Sequence, residues 1–207
     1  DVEPGEYDLE VVLTDPVTQM IADLFGDEPE ELGEVLDIGT GRGQMPVVLL
    51  ELGRATKAHG IDWDEEKIEA ARDAVEVDPA LAASVEVGDV KDAALPDADT
   101  VMLIDVVHYL TIPEQDQLLT RAAKAVRSGG RLVVREADTE RGWRSWLTLL
   151  EEKFFTLLRF NRGARVRFRP AREIAAKLEE AGLDNEIRQA WGKTPFSNVL
   201  VIGARPA

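Results

Sequence analysis

The chain has 207 residues, with 24 basic against 40 acidic side chains for a formal net charge of −16, and it has no cysteine. That length supports a core without staples, and the missing cysteine excludes disulfides, thiolate zinc sites and cysteine nucleophiles. A surface this acidic repels nucleic acid and anionic lipid as a whole; no run of about twenty apolar residues can span a membrane, and no basic-then-apolar segment opens the chain, which favours the cytoplasm.

Residues 1–15 are acidic and turn-like, broken at Pro4-Gly5 and Thr14-Asp15-Pro16. Behind Pro16, Val17, Met20, Ile21, Leu24 and Phe25 recur at helical spacing and predict a short amphipathic helix. We read 1–30 as a cap segment on a single domain spanning 1–207. Arginine outnumbers lysine among the cations, and an acid-rich, lysine-poor surface fits adaptation to high salt. Stability that stayed constant from low to molar salt would refute that fit.

The organising stretch is Glu34 to Gln44: a short apolar strand, the acid Asp37, a turn with glycine at 39, 41 and 43, and a helix from Gln44 to Leu52. Turns at strand C-termini are where open α/β sheets bind nucleotides. The dinucleotide fingerprint would need a third glycine at 44, where Gln44 stands, and no P-loop Gly-Lys-Ser/Thr follows. A nicotinamide oxidoreductase is thereby disfavoured. What remains, Asp-x-Gly-x-Gly-x-Gly, resembles motif I of the class I S-adenosylmethionine (SAM)-dependent methyltransferases. The resemblance implies SAM as cofactor and S-adenosylhomocysteine as product, with Asp37, Gly39, Thr40, Gly41 and Gly43 around it. SAM has no pyrophosphate to seat on a helix N-terminus; its sulfonium and α-amino group suit an acid and backbone carbonyls instead. In many such enzymes an N-terminal aromatic folds over the cofactor, and Tyr7 stands in that region, with plain hydrophobic anchoring as the alternative.

A second strand over Ala55–Asp62 ends in Asp62-Trp63-Asp64. Asp62, about twenty residues beyond the glycine turn, is placed to accept from both ribose hydroxyls, and Trp63 to pack on the adenine. Asp64 is the better N-cap for the helix that follows to Val77, with Glu65 and Glu66 in its first turn. His59 reads as a packed sheet residue. Ser84–Val87 is a third strand, closed by Gly88-Asp89-Val90; in the resemblance the acid accepts from the adenine amino group and the next N–H donates to the ring. Asp99–Ile104 is the fourth strand, apolar as a doubly covered parallel strand should be. It ends in Asp105-Val106-Val107-His108-Tyr109, with Asp105 placed by the methionine end of SAM. Thr111 and Glu114 form a capping box on a helix to Ala125, which stops near Ser128-Gly129-Gly130, and Arg131–Arg135 is the fifth strand.

The final third holds an apolar-striped helix over Trp143–Phe160, read either as core or as a lid over an apolar substrate, then a helix over Pro170–Ala181 with Gly182 as C-cap. A hairpin follows, Asn185–Trp191 and Phe196–Gly203 around Gly192-Lys193-Thr194-Pro195. The expected fold is a Rossmann-like, seven-stranded, mostly parallel α/β sheet with a C-terminal antiparallel hairpin and helices on both faces. Residues 141–169 are an insertion carrying an arginine-rich segment.

Methyl transfer from SAM is an in-line displacement, so the acceptor must be held near attack distance and, if protonated, meet a base. His108 is the candidate base; the alternative is that it only orients its loop. Tyr109, Arg135, Trp143 and Arg144 are the candidate acceptor contacts, with Arg135 and Glu136 also able to pair simply at the surface. The missing cysteine excludes the cysteine-dependent C5-pyrimidine methyltransferases. Asn-Pro-Pro-Tyr/Phe is absent after the fourth strand, which argues against DNA adenine and protein glutamine acceptors. Arg159, Arg162, Arg165, Arg167, Arg169 and Arg172 lie in a run without acids. In so acidic a protein that patch suggests docking of an anionic partner. Arg-Glu-Ala-Asp, Gly-Trp-Arg, Arg-Phe-Arg-Pro and Gly-Lys-Thr-Pro-Phe-Ser-Asn-Val-Leu resemble the methyltransferases of bacterial aryl-polyene and related pigment or fatty-acid clusters, which implies an acidic acyl carrier protein as partner. Pairing of those arginines with the acidic surface is the alternative. The reading is a methyltransferase acting on a small-molecule or carrier-bound acyl or aromatic acceptor, favouring oxygen, without metal. Its rival is a catalytically silent SAM-binding regulatory or assembly protein.

Overall fold

The computed structural model describes residues 31–78, 80–140, 166–190 and 197–207. The predicted helices over 16–25 and 143–160, Tyr7, Trp143, Arg144 and the 192–195 turn lie outside the described residues. The strands are β1 (Glu34–Ile38), β2 (Lys57–Asp62), β3 (Ala83–Val87), β4 (Ala98–Ile104), β5 (Val126–Ala137), β6 (Asp184–Gln189) and β7 (Asn198–Ala204), and they form one seven-stranded sheet in the order β3-β2-β1-β4-β5-β7-β6. The first five are parallel, and β7 runs antiparallel between β5 and β6. The mostly parallel sheet with an antiparallel ending is as the sequence predicts.

Alternation within the strands builds a core on each face. Leu36 and Ile38 of β1 join Leu118, Leu119 and Ala122 of α3 (Ile112–Ala125) and Ile174 and Leu178 of α4 (Ala171–Glu180) on one side. Val35 joins Met45 and Leu49 of α1 (Gln44–Glu51) on the other, and α2 (Glu65–Val77) packs beside α1. Burial from both sides is why β4 and β7 are largely apolar, whereas β3 and β6 at the sheet edges are mostly exposed; each fully buried leucine contributes roughly 2 kcal/mol relative to exposure. The helix starts follow local chemistry. Asp64 caps α2 by accepting from the Lys67 N–H at 3.4 Å, and Thr111 and Glu114 form the expected capping box on α3.

One boundary differs. β5 begins at Val126, so Ser128-Gly129-Gly130 lies inside the strand and does not separate it from α3. The register jumps there, from Ala98 opposite Val126 to Thr100 opposite Arg131. Gly129 has φ +76°, and a Cβ on Gly130 would lie 2.4 Å from the Asp99 carbonyl oxygen. The glycine pair therefore makes a bulge pressed against β4. The strand order reverses between the parallel neighbours β1 and β4, which opens a crevice at their C-terminal ends.

Candidate cofactor and acceptor site

The glycine turn leaves β1 at that crevice. Gly39 has φ +82°, and a Cβ there would lie 2.0 Å from Val106 Cγ2. The turn after β1 is thus seated directly on the turn after β4, in a conformation L side chains rarely adopt. Gly39→Ala is expected to destabilise the fold by about 1–3 kcal/mol through strain alone, read as a fall in Tm, and to abolish cofactor binding. Gly41 differs: a Cβ there would meet nothing within 4 Å, so the space above it is open. Its N–H donates to Asp62 Oδ2 at 2.9 Å, while the Asp64 N–H donates to Asp62 Oδ1 at 2.9 Å. Asp62, 5% exposed, is thereby fixed at the tip of β2, and each carboxylate oxygen keeps capacity for a further donor. Trp63 beside it is 57% exposed, so its indole is presented to solvent at the rim.

Asp37 is 3% exposed. Burial pushes its carboxyl up from an ordinary 3.8 to about 6; the Thr40 hydroxyl offsets part of the rise and the neighbouring Asp62 charge adds to it. Because the native pKa lies above the unfolded one, the native state holds this proton more tightly. Stability from this group is fully present below about 3.8 and is lost as pH rises through about 6. At pH 8 the buried charge costs about 3 kcal/mol, an order of magnitude from the size of the shift. Asp37→Asn should therefore raise the Tm of the ligand-free protein above pH 6 and leave it unchanged near pH 4. The same substitution should weaken a cationic ligand more than a neutral one.

At the end of β3, the Gly88 N–H donates to the Asp62 carbonyl at 2.9 Å, which sets the 88–90 turn beside the β2 tip. Asp89 Oδ1 accepts from the Lys91 N–H at 3.0 Å and its Oδ2 pairs with Lys91 Nζ at 3.1 Å. Val90 is buried. Asp37, Gly39, Thr40, Gly41, Gly43, Asp62, Gly88, Asp89, Val90 and Asp105 are all on turns leaving strand C-termini or at the strand ends themselves. An open space bounded by two buried acids and backbone N–H groups fits a ligand with hydroxyls and positive charge, as SAM has.

The β4 and β5 ends form the other half. Asp105 sits at φ +55°, a left-handed conformation that aspartate tolerates. Its carboxylate is paired with the Arg135 guanidinium, and its N–H donates to the Arg135 carbonyl at 3.1 Å. Arg135 is therefore tied to Asp105 at the crevice. His108 lies in the 3-10 turn Val107–Tyr109, 4% exposed, against Glu136 at 3%. Glu136 Oε2 is 2.8 Å from His108 Nδ1, and Oε1 accepts from the His108 backbone N–H at 3.2 Å. With Glu136 ionised, Nδ1 carries the proton and Nε2 holds the basic lone pair. The imidazole packs between Tyr109 and Phe168, with ring centroids 4.2 and 4.8 Å away. Phe168 is brought there by an extended segment whose Arg167 N–H donates to the His108 carbonyl at 2.7 Å.

Sequence reasoning left Glu136 as one half of a surface pair; it is the buried partner of His108. The alternation of β5 carries no signal for it, because both faces are covered: Leu132 and Val134 pack into the core on one side and Val133 on the other. Phe168 carried no signal beyond being apolar. Of the arginine run, Arg169 pairs with Asp116 at 2.6 Å and Glu173 at 3.3 Å, and Arg172 pairs with Glu140. Arg159, Arg162 and Arg165 lie outside the described residues.

His59 is a sheet residue, bonded through Nδ1 to Ser84 Oγ at 2.8 Å and 3.4 Å from Glu86. It borders a recess of about 460 Å³ with Lys57, Leu36 and Leu95. That recess lies over the N-terminal halves of the strands, away from the turns that carry the acids and glycines. Among the described residues no cluster could hold a metal ion, and no helix is long and apolar enough to cross a membrane.

Residues 35–130 match the family model described as a methyltransferase domain. The chain is 30% identical over 135 residues to 27-O-demethylrifamycin SV methyltransferase of Amycolatopsis mediterranei (strain S699), a match covering 63% of this chain and 48% of that protein. It thus spans about half the length of that curated relative. Among solved structures, the S-adenosylmethionine-dependent methyltransferase SibL in its apo form superposes with a TM-score of 0.74 at 23% identity, over 96% of this chain and 56% of that one. Human N-acetylserotonin methyltransferase in complex with SAM gives a TM-score of 0.70 at 18% identity, over 96% and 54%. At such identities these two likenesses establish the fold.

Proposed function

We infer that this chain, which belongs to the class I S-adenosylmethionine-dependent methyltransferases, catalyses methyl transfer to oxygen on a small-molecule or carrier-bound acyl or aromatic acceptor in the cytoplasm. The observation that carries the reading is the buried His108–Glu136 pair beside the crevice whose opposite wall holds Asp62 and the glycine turn. When bound, SAM supplies an electrophilic methyl group. Asp62 is assigned to the ribose hydroxyls, the Asp89–Val90 turn with Trp63 to the adenine, and Asp37, the turn of Gly39, Thr40, Gly41 and Gly43, and Asp105 to the methionine end. Nε2 of His108 takes the proton from the acceptor hydroxyl, Glu136 stabilises the imidazolium that forms, and Tyr109 and the Asp105-held Arg135 line the acceptor side; Trp143 and Arg144 are assigned to the acceptor from the sequence alone. An oxygen acceptor agrees with the name of the Amycolatopsis relative. The acidic acyl carrier as partner rests on the arginine run and on the resemblance of the motifs around it, with Arg169 and Arg172 of that run paired to acids in the fold.

A silent cofactor-binding protein is the second reading, favoured by the deep burial of His108. Calorimetric titration with S-adenosylhomocysteine, followed by transfer assays on phenolic, carboxylic and carrier-bound acceptors, separates the two. Binding with turnover supports the enzyme. Binding without turnover on any acceptor class supports the silent protein, and a folded chain that does not bind removes both.

A further inference from the structure

Arg121, on α3, reaches across to the loop that joins β3 to β4. Its Nη1 donates to the Val90 carbonyl at 2.9 Å and the Lys91 carbonyl at 2.5 Å, and its Nη2 donates to the Ala93 carbonyl. These partners lie 28 to 31 residues away in sequence, so the contact is a tertiary clamp and no part of a helix cap. The loop is itself a tight turn: the Asp92 and Ala93 N–H groups both donate to the Asp89 carbonyl, at 3.0 and 2.7 Å. Val90 is anchored a second time, its side chain buried in the same apolar cluster as Leu118 and Ala122 of α3. A guanidinium presents several donors in a rigid fork, which a lysine ammonium cannot reproduce across three carbonyls.

We propose that Arg121 is a positioning residue for the adenine end of the cofactor pocket, fixing the 89–93 turn so that the Asp89 carboxylate and the Val90 N–H meet the edge of the base. This rests on the cofactor reading above. Asp89 braces the turn from within, its Oδ1 accepting from the Lys91 N–H and its Oδ2 pairing with Lys91 Nζ, and Arg121 braces it from outside through the carbonyls. The carbonyls of residues 90, 91 and 93 are turned toward α3, and the polar groups that remain for the base are the Val90 N–H and the Asp89 carboxylate. A clamp on three carbonyls within the four residues 90–93 therefore sets the direction of the donor and acceptor on the other side of the turn.

The test compares S-adenosylhomocysteine with S-inosylhomocysteine, in which the 6-amino group is replaced by oxygen, by calorimetric titration of wild type, Arg121→Met and Arg121→Lys. Wild type should prefer the adenine form by about tenfold or more, the scale of a base edge that is hydrogen-bonded against one that is mispaired. Arg121→Met should lose about tenfold in affinity for the adenine form while the inosine form moves less, so that the preference collapses toward unity, with Arg121→Lys in between. A merely structural clamp would weaken both ligands equally. A variant that keeps the wild-type preference ratio, or a wild type with no preference, overturns the proposal. A folded wild type that binds neither ligand overturns the cofactor reading, and the proposal with it. Should Arg121→Met fail to fold, Arg121→Lys, which keeps a cationic donor and most of the stem, carries the same comparison.

Discussion

Exchanging Glu136 for glutamine is expected to lower kcat by about 10³- to 10⁴-fold, the upper end being the scale seen when an orienting carboxylate beside a catalytic histidine becomes an amide. The Kd for S-adenosylhomocysteine should change by less than about threefold, because no contact to the ribose or base is touched. The reason lies in the proton inventory. A carboxylate is acceptor-only, so Nδ1 of His108 must carry the hydrogen and Nε2 the lone pair. A glutamine amide offers a donor as well, and a ring that accepts at Nδ1 has its proton on Nε2, where it cannot remove another. Glu136 also accepts from the His108 backbone N–H, so the substitution loosens the turn that aims the ring. A structural role and a catalytic one part company on acceptor acidity. If His108 is the base, an acceptor already ionised at assay pH should be methylated by Glu136→Gln at close to the wild-type rate, while a neutral alcohol or phenol should suffer the full loss. Equal losses on both acceptors, together with a lowered Tm, would mean that the pair only holds the turn.

The division between what the chain declared and what it concealed follows from range. The β1 turn and the capping box at Thr111 were legible because each is encoded within about ten residues, and the antiparallel ending because two strand patterns flank one short turn: period, cap and glycine all act locally. Asp62 was legible by spacing from the glycine turn, and the structure brings the two together through the Gly41 N–H. Glu136 and Arg121 were not, since their partners lie 28 or more residues away and nothing local marks a carboxylate or guanidinium as buried. The Gly129-Gly130 pair was misplaced for the same reason. Read locally it breaks a chain; in the sheet it bulges to clear the Asp99 carbonyl. Arg135 looked available for an acceptor, and its pairing with Asp105 across β4 and β5 is again long-range.

Asp62→Ala should weaken S-adenosylhomocysteine by roughly a hundredfold, about 3 kcal/mol, the worth of two hydrogen bonds to a charged acceptor less what water returns. Part of that loss would be indirect. The carboxylate bonds the N–H groups of Gly41 and Asp64 at 2.9 Å each, and without it the glycine turn loses its tie to β2. The two contributions separate in a double-mutant cycle that pairs the protein change with removal of one ribose hydroxyl from the ligand. In wild type, 2′-deoxy or 3′-deoxy S-adenosylhomocysteine should bind about tenfold more weakly than the parent. In Asp62→Ala that penalty should vanish, since the hydroxyl no longer meets a carboxylate. A penalty of the same size in both proteins would place the ribose elsewhere and leave Asp62 as the strut of the Gly41 turn. Asp62→Asn sharpens the comparison: its amide presents a donor to one of two N–H groups that both need an acceptor, so it should bind no better than the alanine variant despite its matching size.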